Sequence, residues 1–275
     1  MVLETIISPR YARENSWSIA ALGAVFVSLA VGIVHWFGLS SQSSLLMMVF
    51  VIIPSIPFLV DLIQFQEAET TRTAGKFFGS RTLARHAPMI AVMFSFFIGL
   101  TAAFTFWYAV LPESTSSLLF NTQVDELAAV RGSFSGMAVE TIETIETKML
   151  LAFETIFLHN LEVLLLILAF SMLYGAGAIY VLIWNASVIG VFLGNIAKSG
   201  QIGMGIAGIV PHGVFELLAY TTAALAGGIL SRVIVLRRLR VIEEHQTVYD
   251  VAKLAGWAIV FLALGAFIES TGVIK

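Results

Sequence analysis

From Asn15 to Val60 the chain carries no Asp, Glu, Lys or Arg. An ordinary soluble domain is about one-quarter charged, so a run this long has no face to offer to water. A helix needs roughly 20 residues to cross the hydrocarbon core of a bilayer. The run is long enough for two crossings and the turn between them. The rest of the chain continues the pattern: of 275 residues, 58% are hydrophobic and 12% charged. Too little polar surface remains to coat a soluble globule. The net charge of −3 supplies no basic field for nucleic acid. The absence of cysteine removes disulfides, thiolate nucleophiles and thiolate metal sites together. The expected fold class is all-α: a polytopic transmembrane helical bundle of about seven membrane segments, one of them short or re-entrant.

Span one is read at 18–37, with Trp17 and Trp36 as interfacial anchors. This first apolar run is too long for a cleavable signal peptide, so it is expected to stay in the mature protein. The polar cluster Ser40 to Ser44 turns the chain, and span two follows at 45–63, with Pro54 and Pro57 expected to kink it. Span three is placed at 89–111. Val163 to Ala197 is 35 residues without a charge. As one helix that is about 52 Å, against a hydrocarbon core of roughly 30 Å. The expected break is Asn185, giving span four at 161–184 and a short span five at 186–197. Spans six and seven are read at 205–230 and 251–268.

Basic residues set the expected orientation. Arg10 and Arg13 precede span one. Arg72, Lys76, Arg81 and Arg85 separate spans two and three, and Arg232, Arg237, Arg238 and Arg240 separate six and seven. The 38–44 turn has no Lys or Arg, and the 112–160 segment has only Arg131 and Lys148. The positive-inside rule then places the N-terminus in the cytoplasm, and the 112–160 segment and the C-terminus outside. The organisation reads as an N-terminal two-span element over 1–88, with a basic cytoplasmic segment, followed by a membrane core over 89–275 that includes the external segment. The 61–87 stretch is a surface-lying helix or helix pair, or a loop helix packed on the bundle. The external segment is expected to start loose at 112–117 and then turn helical, with Ile142, Ile145, Met149, Phe153 and Ile156 forming a stripe. Glu140, Glu143 and Glu146 drift around that helix at steps of three, a solvated acidic face rather than a metal site.

Polar groups inside spans are costly, about 2.5–3.5 kcal/mol for a charge at a helix centre on insertion scales. The clearest case is Pro211-His212-Gly213-Val214-Phe215-Glu216. His212 and Glu216 are four residues apart and share a helix face. If the helix starts at Pro211, where a missing N–H is harmless, the pair lies near the outer interface; if it starts near Gly205, the pair lies nearer the midplane. Gly213 permits a close backbone approach or an irregular helix start. Three roles are open to the pair: a structural lock, proton or ion handling, or a metal site, which zinc would complete only with further ligands. Asn160 is read as a cap at the start of span four, with Glu162 favoured there by the helix dipole. Asn185 and Asn195 are offered as interhelical partners for His212 or Glu216, or as ordinary cap and turn residues. Glu269 reads as interfacial. Gly190 and Gly194 form a small-xxx-small face. Gly175, Gly177, Gly203, Gly205 and Gly208 add close-approach sites around it. The expected use is packing within the bundle, with a homodimer face as the alternative.

Several of these stretches together resemble the stage II sporulation protein M family. They are Ile156 to Leu161, Tyr174 to Gly177, Trp184-Asn185 followed by Gly190 and Gly194, and Pro211 to Leu217. The last matches the family's proline-histidine-glycine-x-x-glutamate signature position by position. The family usually has two adjacent asparagines before span four; here the first is His159 and the second Asn160. The resemblance covers roughly residues 89–268 and implies a helical membrane core with His212 and Glu216 at its centre. In sporulating bacteria such proteins bring peptidoglycan-degrading partners to the engulfing membrane. The functional expectation is a partner-binding membrane scaffold in the cell membrane, with no catalytic residues, metal or cofactor. Its expected partners are the bilayer and membrane or envelope proteins. The alternatives are a channel or transporter built on the His/Glu pair and an intramembrane metal-dependent hydrolase.

Overall fold

A computed structural model describes residues 9–38, 42–73, 82–137, 145–174, 177–236 and 241–272. Apart from short turns, these residues are helical. In chain order the helices are α1 (Pro9–Glu14), α2 (Ser16–Trp36), α3 (Ser43–Thr73), α4 (Thr82–Val110) and α5 (Glu113–Leu119). They continue with α6 (Asn121–Met137), α7 (Ile145–Tyr174), α8 (Gly177–Lys198), α9 (Ile202–Leu236) and α10 (Val241–Gly272). Among the described residues, 7 stretches are long and apolar enough to cross a membrane. They are Ser16–Trp36, Ser43–Asp61, Thr82–Val110, Met149–Ser171, Ile179–Lys198, Ile202–Ser231 and Val248–Gly272. The protein is a multi-pass helical bundle.

The break inside the long charge-free run is not at Asn185. Helix α7 ends at Tyr174 and α8 begins at Gly177, so the fifth crossing is a full helix of 22 residues rather than a short or re-entrant piece. Asn185 sits inside α8, where its Nδ2 donates to the Val181 carbonyl at 2.8 Å. Its amide is satisfied without leaving the helix, whereas Gly-Ala-Gly at 175–177 carries the greater helix penalty. Gly175 lies outside the described residues, and Gly177 opens α8. Glu140 and Glu143 of the acidic stretch also lie outside them, and Glu146 falls within α7. The 61–73 stretch is no separate surface helix, because α3 runs unbroken through Asp61 to Thr73 with Pro54 and Pro57 inside it.

Helix pairs meet where glycine removes the side chain. A Cβ built on Gly99 of α4 would fall within the backbone of Ala20 on α2. On α8, a Cβ at Gly194 would stand 2.9 Å from the Thr105 carbonyl oxygen of α4, and one at Gly190 would meet the Thr101 carbonyl at 3.0 Å. On α9, a Cβ at Gly227 would stand 3.1 Å from the Leu168 carbonyl of α7. Small residues let backbones touch where lipid removes any hydrophobic drive for helices to associate. The Gly190/Gly194 face is therefore occupied by α4 of the same chain, which leaves it no room to serve a second copy. Of the other glycines expected to crowd it, Gly205 faces Ile196 on α8, while Gly203 and Gly208 meet nothing within 4 Å.

The segment after span three is ordered from its first residue. Pro112 precedes α5, and Ser116, Leu119, Phe120 and Gln123 are buried. Gln123 is 0% exposed. Its Oε1 accepts from Ser44 of α3 at 2.8 Å and its Nε2 donates to Ser187 of α8 at 3.2 Å. Thr122 and Ser44 are also hydrogen-bonded. Lys198 at the end of α8 binds Glu113 at 2.9 Å and lies 4.5 Å over the Tyr108 ring. The expected loose start is thus replaced by two helices that close one end of α3, α4 and α8. The apolar residues Leu119 and Phe120 bury themselves there, beside the polar ties.

Candidate intramembrane polar site

Helix α9 starts at Ile202, so Pro211 lies inside it rather than at its first turn. Of the two starting points considered for this helix, the structure favours the one that sets the signature deep in the span. Glu216 stands 14 residues from Ile202 and 15 from Ser231, about 21–22 Å of helix from either end of the apolar stretch. Gly213 makes no close approach to another helix; a Cβ there would meet Ile209 of its own turn at 3.0 Å.

Three helices converge on Glu216. Asn160 of α7 donates from Nδ2 to Glu216 Oε1 at 2.7 Å. The hydroxyl of Tyr220, one turn along α9, donates to Asn160 Oδ1 at 3.0 Å. Only one orientation of the amide serves both partners, its nitrogen toward the carboxyl and its oxygen toward the phenol. From α10, Glu269 shares a side-chain hydrogen bond with Glu216. Gly265, one turn before Glu269, allows this approach: a Cβ there would lie 3.0 Å from Glu216 Cγ and 3.3 Å from the His212 carbonyl oxygen.

The structure therefore brings together Glu216 and Asn160 from the sequence candidates and adds Tyr220 and Glu269. Asn160 is not a helix cap. It lies midway along α7, fifteen residues past Ile145, and spends its amide on α9. Asn185 bonds within α8, and Asn195 is exposed near the end of that helix, so neither reaches the signature. His212 is half-buried one turn from Glu216, and among the described residues no hydrogen bond joins the two. Glu269 is not a solitary interfacial residue. Tyr220 had a legible signal, because 212, 216 and 220 follow one helix face at steps of four.

A second polar group went unread. At the start of α4, Arg85 Nη2 lies 2.8 Å and 3.0 Å from the two carboxyl oxygens of Asp250 on α10. Thr82 donates to the same carboxyl at 3.0 Å. His86 is 1% exposed beside them, with neither ring nitrogen hydrogen-bonded. Among the described residues no group of three or more His, Cys, Asp or Glu could hold a metal ion.

The sequence profile of the family described as stage II sporulation protein M matches residues 89–272. The chain belongs to the stage II sporulation protein M family. The matched stretch starts inside α4 and runs to the end of α10, so it contains Asn160, Glu216, Tyr220 and Glu269. This family member is also 33% identical over 121 residues to an uncharacterized protein of Methanocaldococcus jannaschii, a match covering 42% of this chain and 68% of the relative. No solved structure matches the chain.

Proposed function

We propose that this stage II sporulation protein M family member is a non-catalytic membrane scaffold that binds membrane or envelope proteins through its external segment. One observation carries the reading: the hydrogen bonding of Glu216 is spent on Asn160 and Glu269 of its own bundle. A carboxyl used this way fastens α7, α9 and α10 to each other. The external segment suits a binding role, because α5 and α6 are anchored by Gln123 and Lys198 while Val124, Asp125 and Glu126 remain exposed. The positive-inside reading, with the basic 61–87 and 232–240 stretches in the cytoplasm, puts α6 on the outer side.

A second reading rests on the bond between Glu216 and Glu269. Two carboxyls set together inside a bundle make a place where a proton or small cation can be handed on. Reconstitution in liposomes separates the two. The scaffold reading expects imposed proton and sodium gradients to persist, and photo-crosslinkers at Asp125 and Glu126 to trap the same membrane or envelope protein repeatedly in native membranes. A gradient that collapses with wild type and persists with Glu216→Gln would replace the scaffold by the transport reading.

A further inference from the structure

Every crossing helix but one takes part in a close backbone approach at a glycine. Gly23 and Gly99 bring α2 and α4 together, Gly190 and Gly194 set α8 on α4, Gly227 sets α9 on α7, and Gly265 sets α10 on α9. Helix α3 is the exception. Its spanning stretch Ser43–Asp61 contains no glycine, and a Cβ built on any described glycine elsewhere meets no atom of α3 among its nearest neighbours. The helix is held through its side chains. Along its first half the buried apolar ones are Met47, Met48 and Val51, and methionine repacks more readily than other core residues.

Three features weaken α3 within one turn. Pro54 and Pro57 lie inside the helix and have no N–H to give to the carbonyls of Phe50 and Ile53. Between them, Ser55 Oγ donates to the Val51 carbonyl at 2.6 Å, a bond to the preceding turn that often accompanies a bend. The start of the helix carries a polar clasp instead. Ser44 is hydrogen-bonded to Thr122 and donates to Gln123 Oε1 at 2.8 Å, and Gln123 Nε2 donates to Ser187 of α8 at 3.2 Å. Such bonds are individually weak in a membrane bundle, because a released hydroxyl or amide finds other partners.

We propose that residues 44–53 of α3 form an arm that pivots at Pro54 and Pro57 and is held shut by the Ser44–Gln123–Ser187 clasp. The arm is about 15 Å of helix, so a change of about 20° at the hinge, the lower end of a proline kink, moves its tip through about 5 Å. Swung away, it uncovers Ser187 and the methionine-lined side of the bundle beneath α5 and α6. Two members of the clasp, Thr122 and Gln123, belong to α6. The position of the external segment therefore sets whether the arm is held. The hinge does not depend on what the scaffold binds.

The sequence has no cysteine, so spin labels on introduced cysteine pairs report separations in the full chain, read by pulsed electron resonance in lipid nanodiscs. Leu46→Cys with Leu264→Cys follows the arm against α10, and Ile33→Cys with Leu264→Cys follows α2 against α10; all three positions are exposed. Each pair is expected to give one narrow separation with the clasp intact. Gln123→Leu is expected to add a second separation to the arm pair, shifted by several ångströms, and to leave the α2 pair unchanged. Ser44→Ala keeps the bond from Gln123 to Ser187; it is expected to do the same to a smaller extent, and it carries the test if Gln123→Leu does not fold. Pro54→Leu with Pro57→Leu, added to either clasp variant, is expected to restore the single separation. The proposal is overturned if the clasp variants leave the arm pair unchanged, if both pairs broaden together, or if the second separation persists without the prolines.

Discussion

Replacing Asn160 with leucine deletes two interhelical ties at once while keeping side-chain volume nearly constant. The amide donates to Glu216 at 2.7 Å and accepts from Tyr220 at 3.0 Å. Interhelical hydrogen bonds in membrane proteins contribute about 0.6 kcal/mol on average and up to about 1.7 kcal/mol. Two of them give an expected loss of about 1–3 kcal/mol for Asn160→Leu. Tyr220→Phe breaks only the second and should cost about 0.6–1.7 kcal/mol. Because both bonds pass through one amide, the double variant should be hardly less stable than Asn160→Leu alone. Unfolding in mixed micelles by SDS titration, followed by helical circular dichroism, provides the three stabilities. An Asn160→Leu variant within about 0.3 kcal/mol of wild type would refute the lock, and so would single-variant losses that simply add, since uncoupled sites add within about that margin.

Other interfaces give sharper numbers. Asp250→Ala leaves the Arg85 guanidinium buried without its carboxylate, which is expected to cost about 3–5 kcal/mol in the same titration; the double variant Arg85→Met/Asp250→Leu should recover much of that loss. Gly190→Leu drives a side chain into α4 at Phe104 and Thr101, and a loss of about 1–3 kcal/mol or failure to fold is expected, whereas Gly208→Leu, with open space around it, should stay close to wild type. Lys198→Ala should cost less than about 1 kcal/mol, because Glu113 on the other side of that ion pair is exposed to solvent and the pair is screened.

The bundle itself was legible because apolar length is a local property. The charge-free run from Asn15 to Val60 located α2 and the first part of α3, and the His212 to Tyr220 face of α9 follows from spacing alone. The errors share one cause. Counting charge-free runs treats every charged or polar residue as a boundary, and here several sit inside helices. Glu154, His159 and Glu162 lie within the apolar stretch of α7, so the fourth crossing was started too late and its end pushed to Asn185. Asn160 was read as a cap for the same reason. Its true partners lie 56 and 60 residues away, and no local pattern announces a bond over that distance. Arg85 and Asp250 are 165 residues apart, and each looks like an ordinary loop charge when read separately. The Gly190/Gly194 motif was visible, but which neighbour fills it depends on tertiary packing.

The centre of this account is that Glu216 is fastened by its own bundle. An experimental structure of the full chain in lipid nanodiscs, resolved well enough to place side chains, tests it most directly. The account predicts Asn160 and Tyr220 joined by their hydrogen bond, the Asn160 amide on the Glu216 carboxyl, and Glu269 against the same carboxyl from α10. A Glu216 side chain pointing into a continuous water-filled passage, with Asn160 bonded elsewhere, would contradict it.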